Sequence, residues 1–202
     1  MRVLAFTVFL AASPAVAGNL AYIDQAGTGN WAKQTQSGAN EATILQSGSG
    51  HWAEQIQRGA NFGLIDQTGN HQRATMDQTG TNAARIAQAG SGNRVSVMQD
   101  GAANQATVSQ SGSNNRSSVS QSGSGNTSST TQRGANNESE HIQDGDRNEV
   151  TTIQEGRSTL SITQSGTNNT FDSRLYDGSQ GVRIQQNGNG MDIRVTQTPG
   201  RK

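Results

Sequence analysis

Residues 19–30 read NLAYIDQAGTGN, and the pattern N-x-A-x-I-x-Q-x-G within this stretch decides the fold. The pattern returns as NEATILQSG from Asn40, as NAARIAQAG from Asn82 and as NRVSVMQDG from Asn93. Self-similarity at a fixed short period is typical of repeat proteins, in which each repeat buries its inner face against its neighbours. The sequence therefore predicts a repeat architecture.

Three side-chain types recur at fixed places in the repeat, with glutamine at every step of 10 or 11 residues up to Gln164 and, after one degenerate unit, again at Gln186 and Gln197. The repeat glutamines are Gln25, Gln36, Gln46, Gln57, Gln67, Gln78, Gln88, Gln99, Gln110, Gln121, Gln132, Gln143, Gln154, Gln164, Gln186 and Gln197. Glycines two residues later are Gly27, Gly38, Gly48, Gly59, Gly69, Gly80, Gly90, Gly101, Gly112, Gly123, Gly134, Gly145, Gly156, Gly166 and Gly188. Asparagines six residues earlier are Asn19, Asn30, Asn40, Asn61, Asn82, Asn93, Asn104, Asn115, Asn126, Asn137 and Asn148. We expect these residues to be structural.

Within a unit, the apolar positions lie four and two residues before the glutamine, as Ala42 and Ile44 do before Gln46. A period of two predicts a β-strand that turns Asn, Ala, Ile and Gln to one face and mixed polar residues to the other. The following glycine suits a turn with positive φ. Each unit is therefore predicted to be one strand and one tight turn.

Two units span 21 or 22 residues and would close one flattened coil, so that each strand pairs with the strand two units away. Counting one degenerate unit, 17 units predict roughly eight stacked coils, an all-β solenoid able to form amyloid. Stacked glutamines would each donate to one neighbour and accept from the other, as in cross-β ladders. The repeated amide is thus explained as a ladder through the core.

The composition fits this architecture better than a globular core. Of the 202 residues, 30% are hydrophobic and 4% aromatic, whereas 22 Gln and 18 Asn carry side-chain amides. On composition alone the chain would be expected to be disordered. The formal net charge is zero, which argues against nucleic acid as a partner, and the absence of cysteine excludes disulfides. No cofactor is expected.

The N-terminal stretch MRVLAFTVFLAASPAVA differs from the repeats. One Arg, a short apolar run and the sequence Ala15-Val16-Ala17 predict a secretory signal peptide cleaved after Ala17. The alternative is a buried N-terminal strand. The predicted organisation is a signal peptide at 1–17, a repeat array at 18–197 and a short tail at 198–202.

Several units depart from the pattern. The position usually occupied by Ile or Val holds a polar side chain in five units, while isoleucines sit one residue late in three of them, so those strands are either slipped or turn Ile outward. The polar residues are Gln34, Gln55, Thr130, His141 and Thr152, and the displaced isoleucines are Ile56, Ile142 and Ile153. In NTFDSRLYDG, either Leu175 or Tyr176 replaces the ladder glutamine.

Motifs for other chemistry are weak. GTGNWA from Gly27 formally fits a dinucleotide fingerprint, but similar GSGN turns recur along the chain. His51, His71 and His141 occupy different repeat positions, without the spacing of a metal site or a triad. We therefore predict that the protein is not an enzyme.

Two surface features allow a binding role. DGDRNE from Asp144 is faintly like a calcium loop, but we expect it instead to be charge on turns that limits association with other surfaces. It belongs to an acidic stretch of Glu138, Glu140, Asp144, Asp146, Glu149 and Glu155. The aromatic residues Tyr22, Trp31, Trp52 and Phe62 cluster early and either bind sugars or pack on the solenoid.

The repeat N-x-A-x-[IV]-x-Q-x-G resembles the curlin repeat of curli, the secreted amyloid fibres of Gram-negative bacteria, over residues 19 to 197. The stretches NLAYIDQAG and MDIRVTQ are more similar to the minor, nucleating subunit than to the major one. The resemblance implies a secreted, extracellular subunit that polymerises with itself and other curlins at the cell surface, for adhesion and biofilm formation. It also implies export by outer-membrane curli machinery.

The sequence departs from the family in two ways: Gly18 runs directly into the repeats without a Gly-rich export segment, and the array is longer than usual. Residues 174–202 carry Arg174, Arg183, Arg194, Arg201 and Lys202 against Asp177 and Asp192. This excess of positive charge would suit a nucleating subunit attached to an anionic surface. The alternative function is a monomeric secreted β-solenoid, such as an adhesin or an ice-binding protein.

Overall fold

The computed structural model describes residues 8–12, 18–179 and 181–197, and this part of the chain is all-β. The strands are β1 (Val8–Ala12), β2 (Leu20–Thr28), β3 (Trp31–Gly38), β4 (Glu41–Ser49), β5 (Trp52–Gly59), β6 (Phe62–Asn70), β7 (Arg73–Ser91), β8 (Arg94–Ser113), β9 (Arg116–Ser124), β10 (Thr127–Ala135), β11 (Glu138–Asp146), β12 (Glu149–Glu155), β13 (Thr159–Thr167), β14 (Thr170–Leu175), β15 (Val182–Asn189) and β16 (Asp192–Gln197). No helix that could span a membrane is found among the described residues.

All strand pairs are parallel and join residues 21 or 22 positions apart within the repeat array, as in Trp31↔Trp52 and Arg94↔Arg116. The strands form two stacks. The β2 column contains β2, β4, β6, the second halves of β7 and β8, and then β10, β12, β14 and β16. The β3 column contains β3, β5, the first halves of β7 and β8, and then β9, β11, β13 and β15. The predicted solenoid of about eight coils is confirmed.

The two columns differ in length because the array has an odd number of units. Strands β7 and β8 each contain two units, so the β2 column has nine strands and the β3 column has eight. The short strand β1 pairs with β3 through Val8↔Ala32, on the side away from β5. It lies inside the predicted signal peptide, most of which is outside the described residues, as is the predicted tail at 198–202.

Alternation along each strand places small and medium apolar side chains inside, as in Ala42, Ile44 and Val97, which are fully buried. Two apolar clusters result, one from Ala32 to Val119 and one from Val150 to Leu175. Between them lies a layer of buried polar side chains, the hydroxyl layer, which consists of Ser128, Thr130, Ser139, His141 and Thr152. The core is therefore interrupted by polar groups.

The irregular units keep their register. Gln34 pairs with Gln55 and Gln55 with Met76, so these amides point inward in line with apolar residues of later coils. Ile142 is 37% exposed, and Ile56 and Ile153 occupy outward positions of their strands. The strands are not slipped, because the repeat glutamines and glycines on either side remain aligned. The isoleucines face outward instead.

One compensating pair was not apparent from the pattern. Gly63 occupies an inward position that holds alanine in the neighbouring coils, Ala42 and Ala84. A Cβ atom on Gly63 would overlap the amide nitrogen of Gln55. The missing methyl group therefore makes room for a long side chain at the Ile position of the opposite strand.

Candidate functional site: the amide ladders and the open ends of the solenoid

The repeat glutamines form two ladders parallel to the solenoid axis. In the β3 column, Nε2 of each glutamine donates to Oε1 of the next, from Gln36 through to Gln186, at 2.7–3.2 Å. In the β2 column, the same bonds run from Gln25 to Gln154. Glutamines inside the stack are almost completely buried, so each bond satisfies groups that water cannot reach.

The second N–H of each glutamine amide from Gln36 to Gln186 crosses the core. Nε2 of Gln46 donates to the carbonyl oxygen of Trp31 at 3.1 Å, and Nε2 of Gln57 donates to that of Glu41 at 3.3 Å. In both columns the acceptor lies at the start of the unit that immediately precedes in the chain. Both N–H groups of the amide are therefore hydrogen-bonded. One bond links successive coils along the axis, and the other links the two strands that face each other across the core.

The asparagines form a second pair of ladders at the corners of the coils. Oδ1 of Asn104 accepts from the backbone N–H of Asn126 at 3.0 Å and from its side-chain nitrogen at 3.1 Å. The same pair of bonds links Asn40 to Asn61 and Asn126 to Asn148. Each asparagine thereby caps the corner of the coil that follows it.

The sequence pattern missed four corner residues. Asn169 continues the asparagine ladder from Asn148. It lies six residues before Leu175, so the pattern identifies it once Leu175 is assigned to the glutamine position. His51, Gln72 and Ser158 occupy the same corner position, six residues before a repeat glutamine. His51 accepts from the N–H of Gln72, and Ser158 donates to Asn137. Different side chains thus perform the same capping role.

The turn glycines have positive φ throughout, from 89° at Gly156 to 141° at Gly188. Most stack directly on one another, so a Cβ on Gly101 would overlap the carbonyl oxygen of Gly123 in the next coil. Backbone geometry and stacking both require glycine here.

The hydroxyl layer surrounds a buried histidine. Nδ1 of His141 lies 2.8 Å from Oγ of Ser128, and Nε2 lies 2.9 Å from Oγ of Ser139 and 3.2 Å from Oγ1 of Thr152. Burial among these neutral groups lowers the pKa of His141 from 6.5 to about 3. Burial also lowers the pKa of His51, partly opposed by its bond to the carbonyl of Ser47. Both histidines act as neutral structural groups.

One ladder is interrupted near its end. Leu175 lies in register between Gln154 and Gln197, which settles the position left open between Leu175 and Tyr176. Nε2 of Gln154 therefore turns to the carbonyl oxygens of Glu138 and Ser158. Oε1 of Gln197 is buried without a donor among the described residues. The last coil is therefore joined to the stack by one glutamine ladder.

The outward side chains are mixed in type. The indole rings of Trp31 and Trp52 stack with centroids 4.8 Å apart, and the guanidinium of Arg73 covers Trp52 at 4.1 Å. The faces of Trp52 are therefore occupied, which leaves little room for a sugar ring against them. Ion pairs link adjacent coils, as in Lys33–Glu54 at 2.9 Å.

The weaker motifs have structural roles. Gly27 lies near the end of β2 and Gly29 in the turn that follows, and the chain continues into strand β3 rather than into a helix. Oδ1 of Asp146 accepts from the N–H of Ser124 in the turn of the preceding coil. Across the described ranges, no group of three or more potential metal ligands is assembled.

The ends of the array have free strand edges. Within the repeat array, β2 pairs only with β4, β15 only with β13, and β16 only with β14. Gln186, in the last coil, donates to the carbonyl oxygens of Thr170 and Met191 and has no further glutamine to follow it in the described chain. Such edges are templates for pairing with another chain.

This arrangement defines a structural repeat protein, a parallel β-solenoid with internal amide ladders. The family model of the curlin associated repeat matches residues 39–80, 90–123 and 101–134. Residues 39–80 and 90–134 thus carry curlin associated repeats, as the resemblance to that family predicted. Fold and family are both structural rather than enzymatic. Neither the curated proteins nor the solved structures contained a match.

We expect the ladder glutamines to matter more than outward glutamines. Gln110 and Gln105 lie on the same strand, Gln110 buried in the ladder and Gln105 exposed. Gln110→Ala leaves one N–H of Gln88 without its acceptor and Oε1 of Gln132 without its donor, at roughly 1–3 kcal/mol for each unsatisfied group. Gln105→Ala should change the free energy of unfolding by less than about 0.5 kcal/mol. Chemical denaturation of the two variants measures the difference, and equal losses would contradict the assignment of faces.

Proposed function

We propose that this chain is a secreted structural subunit of curli-type amyloid fibres, which adds end to end at the bacterial surface and serves adhesion and biofilm formation. The supporting observation is that β2 at one end of the array and β15 and β16 at the other each have an edge without a partner strand among the described residues. Solenoids that remain monomeric cover such edges with polar caps. Here the first and last described units of the array are ordinary strands.

The proposed partners are further copies of the chain and other curlin subunits. Secretion would follow removal of residues 1–17, and loss of this segment takes β1 away from β3. Both strands of the first coil would then present a free edge, as β15 and β16 do at the other end. Maturation would therefore create the second assembly surface.

The C-terminal charge gives less support to a nucleating role than the sequence suggested. Arg174 pairs with Glu155 at 3.2 Å and Arg194 with Asp172 at 3.4 Å, and both acids lie outside the segment from 174 onward. Among the described residues of that segment, Arg183 is the arginine without a carboxylate partner. We therefore propose a fibre subunit without assigning it to nucleation.

A proline at the first edge tests the proposal. The N–H of Leu20 donates to the carbonyl of Asn40, toward the stack. Because successive residues of a parallel strand point alternately to the two sides, the N–H of Ile23 points to the free edge. Ile23→Pro should therefore leave the internal ladder bonds of β2 in place but block an incoming strand.

The purified chain from residue 18 should form dye-binding fibres by electron microscopy, and Ile23→Pro should reduce the rate of fibre growth at least tenfold. Circular dichroism of the monomer checks that the variant keeps its strands. Ser96→Ala, an exposed position on β8 away from both ends of the array, serves as the control and should polymerise at the original rate. A wild-type chain that stays monomeric, or an Ile23→Pro variant that polymerises normally, would refute end-to-end assembly.

A further inference from the structure

Consecutive units of the solenoid are equivalent. Every buried repeat glutamine sends its second N–H to the unit that immediately precedes its own, whether it lies in the β2 column, as Gln46 does, or in the β3 column, as Gln57 does. Each unit is thus related to the next by a half-turn about the axis and half of the roughly 4.8 Å rise between stacked strands. The solenoid behaves as a screw with one unit per half-turn.

The array has 17 units, an odd number. Without β1, the β2 column has nine strands and the β3 column has eight, so the array ends half a coil beyond a whole number of turns. A second copy added by translation along the axis would put its β2 on β16. It would leave a gap one strand wide above β15, with the edge of β15 unpaired. Unpaired backbone groups in such a gap are costly.

A copy turned by half a revolution leaves no gap. Its β2 then lies on β15 and its β3 on β16, continuing the screw as an eighteenth unit. Aligning the glutamines places Gln25 on Gln186 and Gln36 on Gln197, and the turn glycines Gly27 and Gly188 also coincide. Both amide ladders therefore pass from one copy to the next.

The groups at this junction are complementary. In the described chain, the amide nitrogen of Gln25 bonds to Gln46 and has no acceptor across the core. In the turned copy, the carbonyl of Asp192 at the start of β16 takes the place that Trp31 has for Gln46. On the outside, Arg183 would meet the ring of Tyr22, a contact of the kind that Arg73 makes with Trp52.

We infer that successive copies in the fibre are related by a half-turn about the fibre axis, with β2 of each copy seated on β15 of the one before. This inference rests on the proposed assembly into fibres. The two faces of the solenoid then alternate along the fibre, with one copy every 41 Å or so, 17 half-steps of about 2.4 Å. An outward side chain of one face appears alternately on opposite sides.

Cysteine pairs distinguish the two arrangements, because the chain contains no cysteine of its own. Asp24 and Gln185 are exposed and would be directly aligned at a half-turn junction, whereas Asp24 and Thr196 would be aligned at a translated one. Aligned residues on adjacent strands are close enough for a disulfide, which needs Cα atoms about 4.4–6.8 Å apart. Within one copy, Asp24 and Gln185 lie in the first and last coils and cannot reach each other.

Fibres of the double variant Asp24→Cys, Gln185→Cys should give covalent multimers on mild oxidation, and fibres of Asp24→Cys, Thr196→Cys should stay monomeric on a denaturing gel. A gold label on a single Ser96→Cys variant should appear on alternate sides of the fibre. Cross-linking of the 24/196 pair, or of neither pair, within fibres that do form would overturn the half-turn while leaving the proposed function intact. Failure of the uncrosslinked chain to form fibres would remove both.

Discussion

Gly101→Ala should be among the most destabilising single substitutions in this chain, lowering the free energy of unfolding by roughly 4 kcal/mol. Gly101 has φ of +119°, a conformation that costs a residue with a Cβ about 1–3 kcal/mol. The new methyl group would also overlap the carbonyl oxygen of Gly123, and such overpacking costs about 1–3 kcal/mol more. The neighbouring coils cannot give way independently, since their backbones are joined on both sides.

Gly125→Ala is the matched control. Gly125 also has positive φ, +70°, but this is the left-handed region, and an added Cβ would meet its nearest atom, Cγ of Arg147, at 3.4 Å. We expect a loss of about 1 kcal/mol. Urea denaturation of the freshly prepared monomers measures both values. Similar losses for the two alanines would show that the stacked glycines are not constrained by the coil above them.

The stability of the fold should fall as the pH is lowered from 7.5 to 5. The pKa of His141 is lowered by burial from 6.5 to about 3, so the unfolded chain takes up a proton in this range and the folded chain does not. The stability that depends on keeping His141 neutral is therefore fully present above pH 6.5 and is lost progressively as the pH falls to about 3. At pH 5, His141 alone accounts for a loss of about 2 kcal/mol. His51 contributes in the same direction, because its pKa is also lowered.

The variant His51→Asn, His141→Gln removes the titration with residues that the chain itself uses at these positions. Asparagine is the usual corner residue, and Gln34 and Gln55 occupy the position of His141 in other coils. Between pH 7.5 and 5, the free energy of unfolding should fall further for the wild-type chain than for the variant. The difference between the two falls should be at least about 2 kcal/mol. Parallel pH profiles for the two chains would mean that His141 is not held neutral by its surroundings.

The register could be predicted from the sequence because two residue types fix it independently. A one-residue slip would move a glutamine out of its ladder and a glycine out of its turn, so the repeat specifies the pairing even where the core is polar. This explains why Thr130, His141 and Thr152 remain inside while Ile142 is outside. Hydrophobicity alone favours the opposite arrangement in those units.

Other features could not be predicted because they depend on contacts between coils. The fit of Gln55 beside Gly63 requires knowing which strand faces which across the core. The four hydroxyl groups around His141 come from three different strands. The ion pair between Arg174 and Glu155 joins adjacent coils. It offsets part of the positive charge that was counted within residues 174–202, because Glu155 lies outside that segment.

Fibre diffraction tests the central claim, that the amide-laddered solenoid is itself the repeating element of the fibre. Aligned fibres of the chain from residue 18 should give a strong meridional reflection near 4.7–4.8 Å, because stacked strands lie perpendicular to the fibre axis. Fibres without that reflection, or with it on the equator, would contradict the account.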